Sequence, residues 1–131
     1  MNRGGAGLLW TFALYAAATL LHFAHNAEYL AQYPNLPASW TPGEVYAAWF
    51  CVTALGVGGY ALYGLWRRKI GLTVLGVYAL LGFGGLLHYT RAPIGHHSPM
   101  MNLTIWAEAV AGALLLANVV FLGRSRVSHS A

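Results

Sequence analysis

Four long apolar segments constrain this chain more than any other feature of its sequence. A bilayer core about 30 Å thick is crossed by about 20 residues of helix, in which the backbone satisfies its own hydrogen bonds. Four segments are long enough, and they occupy most of the 131 residues: about Leu8–Leu30, Gly43–Trp66, Ile70–Tyr89 and Met100–Leu122. The sequence therefore predicts an all-α integral membrane protein, a single domain over residues 1–131 forming an up-down bundle of four transmembrane helices.

The composition agrees with a bilayer as the main solvent. Charged residues make up 8% of the chain and hydrophobic residues 58%, whereas about 25% of the residues in soluble domains are charged. The net charge of +4 comes from basic residues that lie between apolar runs. They do not form a basic patch interleaved with aromatic residues, so the sequence does not predict nucleic-acid binding. The lipid bilayer is the expected partner.

Two helix starts and one helix end carry local signals. Thr41-Pro42-Gly43-Glu44 places a cap residue, a proline and a glutamate at the positions of a capping box. We therefore expect Glu44 to have a structural role. Ser98-Pro99 repeats the cap and proline before the fourth predicted helix. Pro34 and Pro37 are expected to end the first helix, because neither can donate to a helical ladder.

The positions of the basic residues predict the orientation in the membrane. Six of the seven lysines and arginines flank one end of the predicted helices: Arg3, Arg67, Arg68, Lys69, Arg124 and Arg126. The positive-inside rule makes that side cytoplasmic. Both termini are then cytoplasmic, the two long loops are outside, and Arg91 is the exception. We expect a multi-pass protein of a bacterial inner (plasma) membrane, with the long loops on the periplasmic face.

The first predicted helix carries a column of ionisable side chains. His22, His25 and Glu28 recur every third residue and cover an arc of about 120° on one face, with Tyr29 in the same arc. Ionisable groups inside a bilayer are costly and usually face the bundle interior with a partner. The column therefore predicts a metal site or a proton path in the outer half of the membrane.

The second helix pair brings further polar groups to the same side. They are His88 near the end of the third predicted helix, His96 and His97 in the following loop, and Met101, Asn102, Trp106 and Glu108 in the fourth. At 1.5 Å per residue, Glu108 and His22 both lie about 12 Å below the outer ends of their helices. We therefore expect these two side chains to meet.

The leading hypothesis is a histidine-rich metal site near the outer leaflet. Histidine is the commonest metal ligand and glutamate a frequent companion. The expected ligands are His22, His25, His88 and Glu108, with His96 and His97 as further candidates, and Glu28 and Glu108 are the expected catalytic groups. The donor set leaves zinc, iron and copper open. Such a protein would be a metal-dependent enzyme or redox protein acting on an amphipathic or lipid-like substrate.

Three alternatives remain open. The first is haem, held by His22 or His25 together with His88 as axial ligands. The second is a metal-free, lipid- or sterol-binding isomerase that uses glutamate and histidine for proton transfer. The candidate ligand-binding residues of the chain are Tyr29, Met101, Asn102 and Trp106. Asn102, Trp106 and Glu108 resemble the asparagine, tryptophan and glutamate of emopamil-binding-type membrane proteins, a likeness limited to these three residues. The third is a non-catalytic subunit of an oligomer or larger membrane complex.

Overall fold

A computed structural model describes residues 3–65 and 67–125, and every regular element in these ranges is helical. The α-helices are α1 (Arg3–Glu28), α2 (Pro42–Gly64), α3 (Arg68–Leu81), α4 (His88–Arg91) and α5 (Pro99–Arg124), with 3-10 turns at Leu30–Gln32, Gly84–Leu87 and Ile94–His96. Four stretches are long and apolar enough to cross a membrane: Gly5–Glu28, Pro42–Gly64, Arg68–Arg91 and Pro99–Arg124. The predicted helical class and the four candidate spans are confirmed.

Helices α2 and α5 begin where their caps predict. Thr41 Oγ1 accepts from the backbone N–H of Glu44, and the Glu44 carboxylate accepts from Thr41 N at 2.8 Å, so Glu44 has the expected capping role. Ser98 Oγ accepts from Met101 N at 3.2 Å in the same way. Helix α1 ends at Glu28, earlier than expected, and a 3-10 turn follows. The predicted end of the second helix, Trp66, lies outside the described residues, as does Arg126.

The third predicted helix is interrupted, which corrects the continuous helix expected over Ile70–Tyr89. In a continuous helix, Gly82 N would donate to Tyr78 O. That carbonyl instead accepts from the Tyr15 hydroxyl at 3.0 Å, and Gly82 N donates to Ala79 O at 3.2 Å. A side chain at Gly82 would also meet the Tyr15 ring at 2.8 Å. An inserted side chain thus ends α3, and the chain continues to α4 through a 3-10 turn.

The bundle closes around a buried core at one end. Tyr15 and Tyr78 lie at its centre with their rings 4.6 Å apart, together with Leu75 and Leu115. Helix α1 packs on α2 and α5, and α3 packs on α2 and α5. Asn118 donates to Thr11 Oγ1 near this core, whereas the α1–α5 contact further along joins His22 to Glu108. Helices α1 and α5 therefore run antiparallel, and the polar groups lie beyond the core.

The outer surface of the bundle is rich in large apolar side chains. Trp10 is 75% exposed, Phe50 69%, Phe121 67% and Leu103 61%. Exposed apolar surface on this scale is rare on soluble monomers and marks contact with a membrane or with other protein. The side chains that face outward are therefore of the kind that lipid solvates.

Candidate functional site

A histidine and a glutamate from different helices form the centre of the candidate site. His22 of α1 and Glu108 of α5 approach each other with Nδ1 and Oε2 2.7 Å apart, and each side chain is 3% exposed. Of the three carboxylates in the chain, Glu28 and Glu44 are exposed and Glu108 is buried. A buried charge requires a partner, and an imidazole can share one proton with a carboxyl group. The contact expected from the depths of the two residues is present.

Space for this pair depends on a glycine in the interrupted third span. A Cβ atom on Gly85 would lie 2.6 Å from His22 Cε1 and 3.1 Å from Glu108 Oε2. The 3-10 turn Gly84–Leu87 therefore packs its backbone directly against the pair. Sequence reasoning missed this residue, although glycines at positions 82, 84 and 85 signal an interruption or a close backbone approach.

A second histidine adjoins the pair. His88 of α4 is buried, and its ring lies 5.6 Å from that of His22 between centroids. Asn26 Nδ2 donates to His88 Nε2 at 3.3 Å, and the Tyr33 ring lies 4.9 Å from the His88 ring. Sequence reasoning overlooked Asn26, although it follows His22 by one helical turn and so shares its face.

The two loop histidines have different environments: His97 is buried and His96 is exposed. His97 is buried, with its ring 6.3 Å from that of His88. Its Nδ1 lies 3.2 Å from Pro93 O, the geometry of a donated hydrogen bond, and Nε2 is buried without a partner among the described residues. His96 is exposed and does not line the cavity described below. His97 therefore extends the row of rings that begins at His22.

His25 is held by the loop after α1 and not by the pair. The Tyr33 hydroxyl lies 2.9 Å from His25 Nδ1, and the Tyr29 ring packs against His25 in a tilted arrangement with centroids 4.7 Å apart. Tyr33 is 3% exposed, and burial raises its pKa to about 12. Tyr33 thus contacts both His25 and His88 from the loop.

The predicted column on α1 does not share one environment. His22 is buried, His25 is half-buried, and Glu28 is exposed, where its carboxylate accepts from the Tyr46 hydroxyl at 2.8 Å. Three residues of helix fall about 60° short of a full turn around the helix axis. Successive side chains of the column therefore shift around the helix from the interior to the outer surface. Of the three residues in the column, His22 therefore faces the interior and Glu28 faces the outer surface.

A cavity of about 440 Å³ ends on the buried polar groups. Its inner end contains His22, Asn26, His88 and Glu108, all buried. Its walls include apolar side chains from three of the candidate spans and the intervening loop: Phe23, Leu36, Val45, Ala48, Leu81 and Leu87. Trp40, Glu44 and Arg91 form an exposed rim. A mostly apolar cavity with a few convergent polar groups has the composition of a small-molecule site.

The four residues expected to bind a ligand lie outside this lining. Tyr29 packs against His25, and Met101 Sδ accepts from Ser98 N at the start of α5. Asn102 ties the loop to α5: its Oδ1 accepts from the Tyr89 hydroxyl, and its Nδ2 donates to Ile94 O and His97 O. Trp106 is 49% exposed. Of the three residues in the emopamil-binding-type resemblance, the cavity lining contains Glu108.

The expected metal ligands converge only in part. Over residues 3–65 and 67–125, no three histidine, cysteine, aspartate or glutamate side chains come together closely enough to hold one metal ion. His22 and Glu108 are in contact and His88 adjoins them, whereas His25, Glu28 and His96 lie elsewhere. The arrangement is one tight histidine–glutamate pair with histidines extending away from it.

Comparisons with known proteins do not assign this chain to a family or a function. No protein-family model, curated protein or solved structure matches this chain. Its function must therefore be inferred from the site itself.

Proposed function

We propose that the chain is a multi-pass inner-membrane protein of bacterial type, an up-down bundle with both termini in the cytoplasm. The orientation is supported by three consecutive basic residues just before and at the start of α3: Arg67, Arg68 and Lys69. Helix α1 is the first candidate span and α5 is the fourth, and their antiparallel contact agrees with a chain that crosses the membrane an even number of times. The cavity then lies near the periplasmic leaflet, on the side of the loops that follow α1 and α4.

Within that topology, we propose that the cavity binds an amphipathic, lipid-like molecule and that His22 and Glu108 transfer protons to and from it. The observation that carries this proposal is the buried 2.7 Å contact of the two side chains at the inner end of an apolar cavity. General acid–base catalysis needs two titratable groups within reach of one substrate, in a site that excludes water. His22 and Glu108 are two such titratable groups, and both line the same cavity.

Access from the bilayer supports an amphipathic substrate. Ala48 of α2 and Leu81 and Leu87 of the third span line the cavity and are also exposed on the surface of the bundle. A lipid chain could thus pass between these helices, while a polar head group stays at the exposed rim. The apolar walls would hold the chain, and the reacting carbon atoms would lie at the buried pair.

The reaction class that fits is a double-bond shift. One member of the pair gives its proton to one carbon of the double bond, and the other removes a proton from a neighbouring allylic carbon. The double bond moves, no electrons leave the substrate, and the pair holds the same number of protons as before. Proton exchange between the pair and water would prepare the next turnover.

Incorporation of solvent deuterium tests this chemistry even while the substrate is unidentified. The protein would be placed in nanodiscs of its host's total lipid extract in D₂O, and the lipids analysed by mass spectrometry. Because the delivered proton comes from an exchangeable group, a lipid should gain one deuterium with the wild type. Glu108→Gln should lose this gain, whereas the matched variant Glu28→Gln, changed at an exposed carboxylate, should keep it.

Two outcomes would contradict the acid–base proposal. The first is that wild type and Glu108→Gln leave the same deuterium pattern in every lipid class. The second is that Glu28→Gln abolishes incorporation as fully as Glu108→Gln does, since Glu28 does not line the cavity. Either result would mean that the buried pair is not the reacting group.

A metal site is the second candidate, and one observation favours it. His88 Nδ1 and His97 Nε2 are buried and, among the described residues, have no hydrogen-bond partner. Together with His22 and Glu108 they are nitrogen and oxygen donors of the kind that zinc or iron binds. These side chains would have to move to bring three donors to one ion, because no such group forms among the described residues.

Elemental analysis and an absorption spectrum of the detergent-purified protein test the metal site. A stoichiometric transition metal that is lost in His88→Ala and kept in His96→Ala would support it, because His88 is buried beside the pair and His96 is exposed. A haem spectrum would instead point to axial histidines. Wild-type protein that carries neither metal nor haem after expression in metal-replete medium would contradict both cofactor functions.

A further inference from the structure

We infer that the amphipathic ligand carries an anionic head group and that Arg91 binds it at the rim of the cavity. This inference rests on the proposed ligand-binding function and names the chemical class of the ligand. Its starting point is the position of Arg91 in the sequence. It is the one lysine or arginine of seven that departs from the charge asymmetry of the chain, so the topology gives no reason for its presence.

The structure places this arginine at the cavity. Arg91 is the last residue of α4, it is exposed, and it lines the same cavity as the buried His22 and Glu108. Its guanidinium lies over the ring of Trp40, 5.8 Å from the centroid, and Trp40 also lines the cavity. A positive charge and an aromatic ring thus stand together at the exposed end of an apolar cavity, where a lipid head group would lie.

The guanidinium retains most of its hydrogen-bonding capacity. Arginine has five N–H donors arranged to bind a carboxylate or a phosphate in a bidentate manner. Within the described ranges, Arg91 uses one of its terminal nitrogens for a long bond of 3.4 Å to Asn35 O. Asn35 Nδ2 in turn donates to Arg91 O at 2.8 Å, which fixes the backbone of Arg91 and leaves the side chain head available.

The other charged group at the rim does not favour a cationic head group. Glu44 also lines the cavity, but its Oε2 accepts from Thr41 N at 2.8 Å and from Thr41 Oγ1 at 3.0 Å. These capping bonds hold Oε2 of the carboxylate at the start of α2. Arg91, by contrast, has most of its N–H donors available to a ligand, and a carboxylate or a phosphate monoester on a single apolar chain is the complement of those donors.

A pair of probes with the same chain tests this inference. Binding of dodecyl phosphate and of 1-dodecanol to the full chain in zwitterionic nanodiscs would be measured by equilibrium dialysis, with empty nanodiscs subtracted. We expect the wild type to prefer the phosphate by about fivefold, the upper range for an ion pair at an exposed position. Arg91→Gln should abolish the preference, and Arg91→Lys, which keeps the charge, should retain part of it.

Arg124→Gln is the matched control, because it removes the same net charge at the far end of α5. A preference lost in Arg91→Gln and kept in Arg124→Gln supports the inference. Equal binding of both probes by the wild type, or an unchanged preference in Arg91→Gln, overturns it and leaves the proposed cavity function standing. If neither probe binds to the wild type above the empty-nanodisc level, the inference and the amphipathic-ligand proposal are both overturned.

Discussion

At the scale of single residues, the site depends on Gly85, because the residue has no side chain. Gly85 has no Cβ, and the space is filled by the His22 imidazole and the Glu108 carboxylate. Each side chain of the pair is 3% exposed, so its position depends on the groups packed against it. The geometry of the His22–Glu108 pair, to which we assign proton transfer, is therefore set by the backbone of the interrupted third span as much as by α1 and α5.

Gly85→Ala should displace the pair and destabilise the protein. The added methyl group would meet His22 Cε1 at 2.6 Å, and overpacking of this kind costs about 1–3 kcal/mol. Gly84→Ala is the control, since its Cβ would have nothing within 4 Å. The measurement is the thermal unfolding midpoint in one detergent. Equal midpoints for the two variants would show that the close approach of Gly85 to the pair is absent.

Tyr33 should make stability depend on alkaline pH. Burial raises its pKa from the ordinary value of 10 to about 12, so the unfolded chain loses this proton at a lower pH than the folded protein does. Stability should be unaffected below pH 10 and fall between pH 10 and 12, by about 2–3 kcal/mol in total for this group. Wild type and Tyr33→Phe would be compared by thermal unfolding across that range. Parallel pH profiles for the two proteins would contradict the buried phenol.

At the scale of elements, the pairing of α2 with α3 also depends on a glycine. A Cβ on Gly71 would overlap the backbone nitrogen of Tyr63, whereas a Cβ on Gly58 would have nothing within 4 Å. Small residues let membrane helices approach closely, and backbone cannot move aside as a flexible side chain can. The two helices are thus in backbone contact near the loop that joins them.

Gly71→Ala should therefore separate α2 from α3 and lower the unfolding midpoint, at a cost of about 1–3 kcal/mol or more. Gly58→Ala should leave the midpoint unchanged or raise it slightly, because alanine is the better helix former. Both variants would be followed by circular dichroism during heating. A Gly71→Ala protein as stable as Gly58→Ala would argue against the close helix contact.

The elements were largely predictable from sequence, and the reasons are local. Length and apolar character predicted four spans, and the signals at Thr41 and Ser98 predicted two helix starts, because caps act within one turn. The break after Leu81 was not predictable in the same way. It arises from the Tyr15 hydroxyl, which is distant in sequence and bonds to Tyr78 O. The meeting of His22 with Glu108 followed from helical rise alone, whereas the part played by Gly85 required the packed structure.

At the scale of the whole molecule, the buried polar groups and the basic residues Arg67, Arg68 and Lys69 lie at opposite ends of the bundle, whereas Arg91 lies at the rim of the cavity. The cavity with His22, His88 and Glu108 lies on one side of the core around Tyr15 and Tyr78. On the other side, Arg67, Arg68 and Lys69 lie where α2 is joined to α3. In the proposed orientation, the core lies between the site and the cytoplasm, and the proposed ligand would enter from the outer leaflet. The orientation would therefore decide which leaflet supplies the ligand.

Cysteine labelling tests the orientation in intact cells. In a Cys51→Ala background, which removes the exposed native thiol, a membrane-impermeant maleimide should label His96→Cys from outside. Lys69→Cys should be labelled only after the membrane is permeabilised, because Lys69 lies at the proposed cytoplasmic end of α3. Both substituted positions are exposed, so access to the reagent depends on the side of the membrane. The reverse labelling pattern would overturn the proposed topology.

Photolabelling with an amphiphile tests most directly whether the cavity holds the ligand against the buried pair. A twelve-carbon alkyl phosphate with a diazirine near its chain end would be irradiated with the full chain in nanodiscs, with and without excess dodecyl phosphate, and the labelled residues mapped by mass spectrometry. The predicted result is competitor-sensitive labelling of the cavity residues His22, Phe23 and Leu87. Labelling confined to outward-facing residues such as Phe50 and Phe121, and unaffected by the competitor, would contradict a ligand site in this cavity.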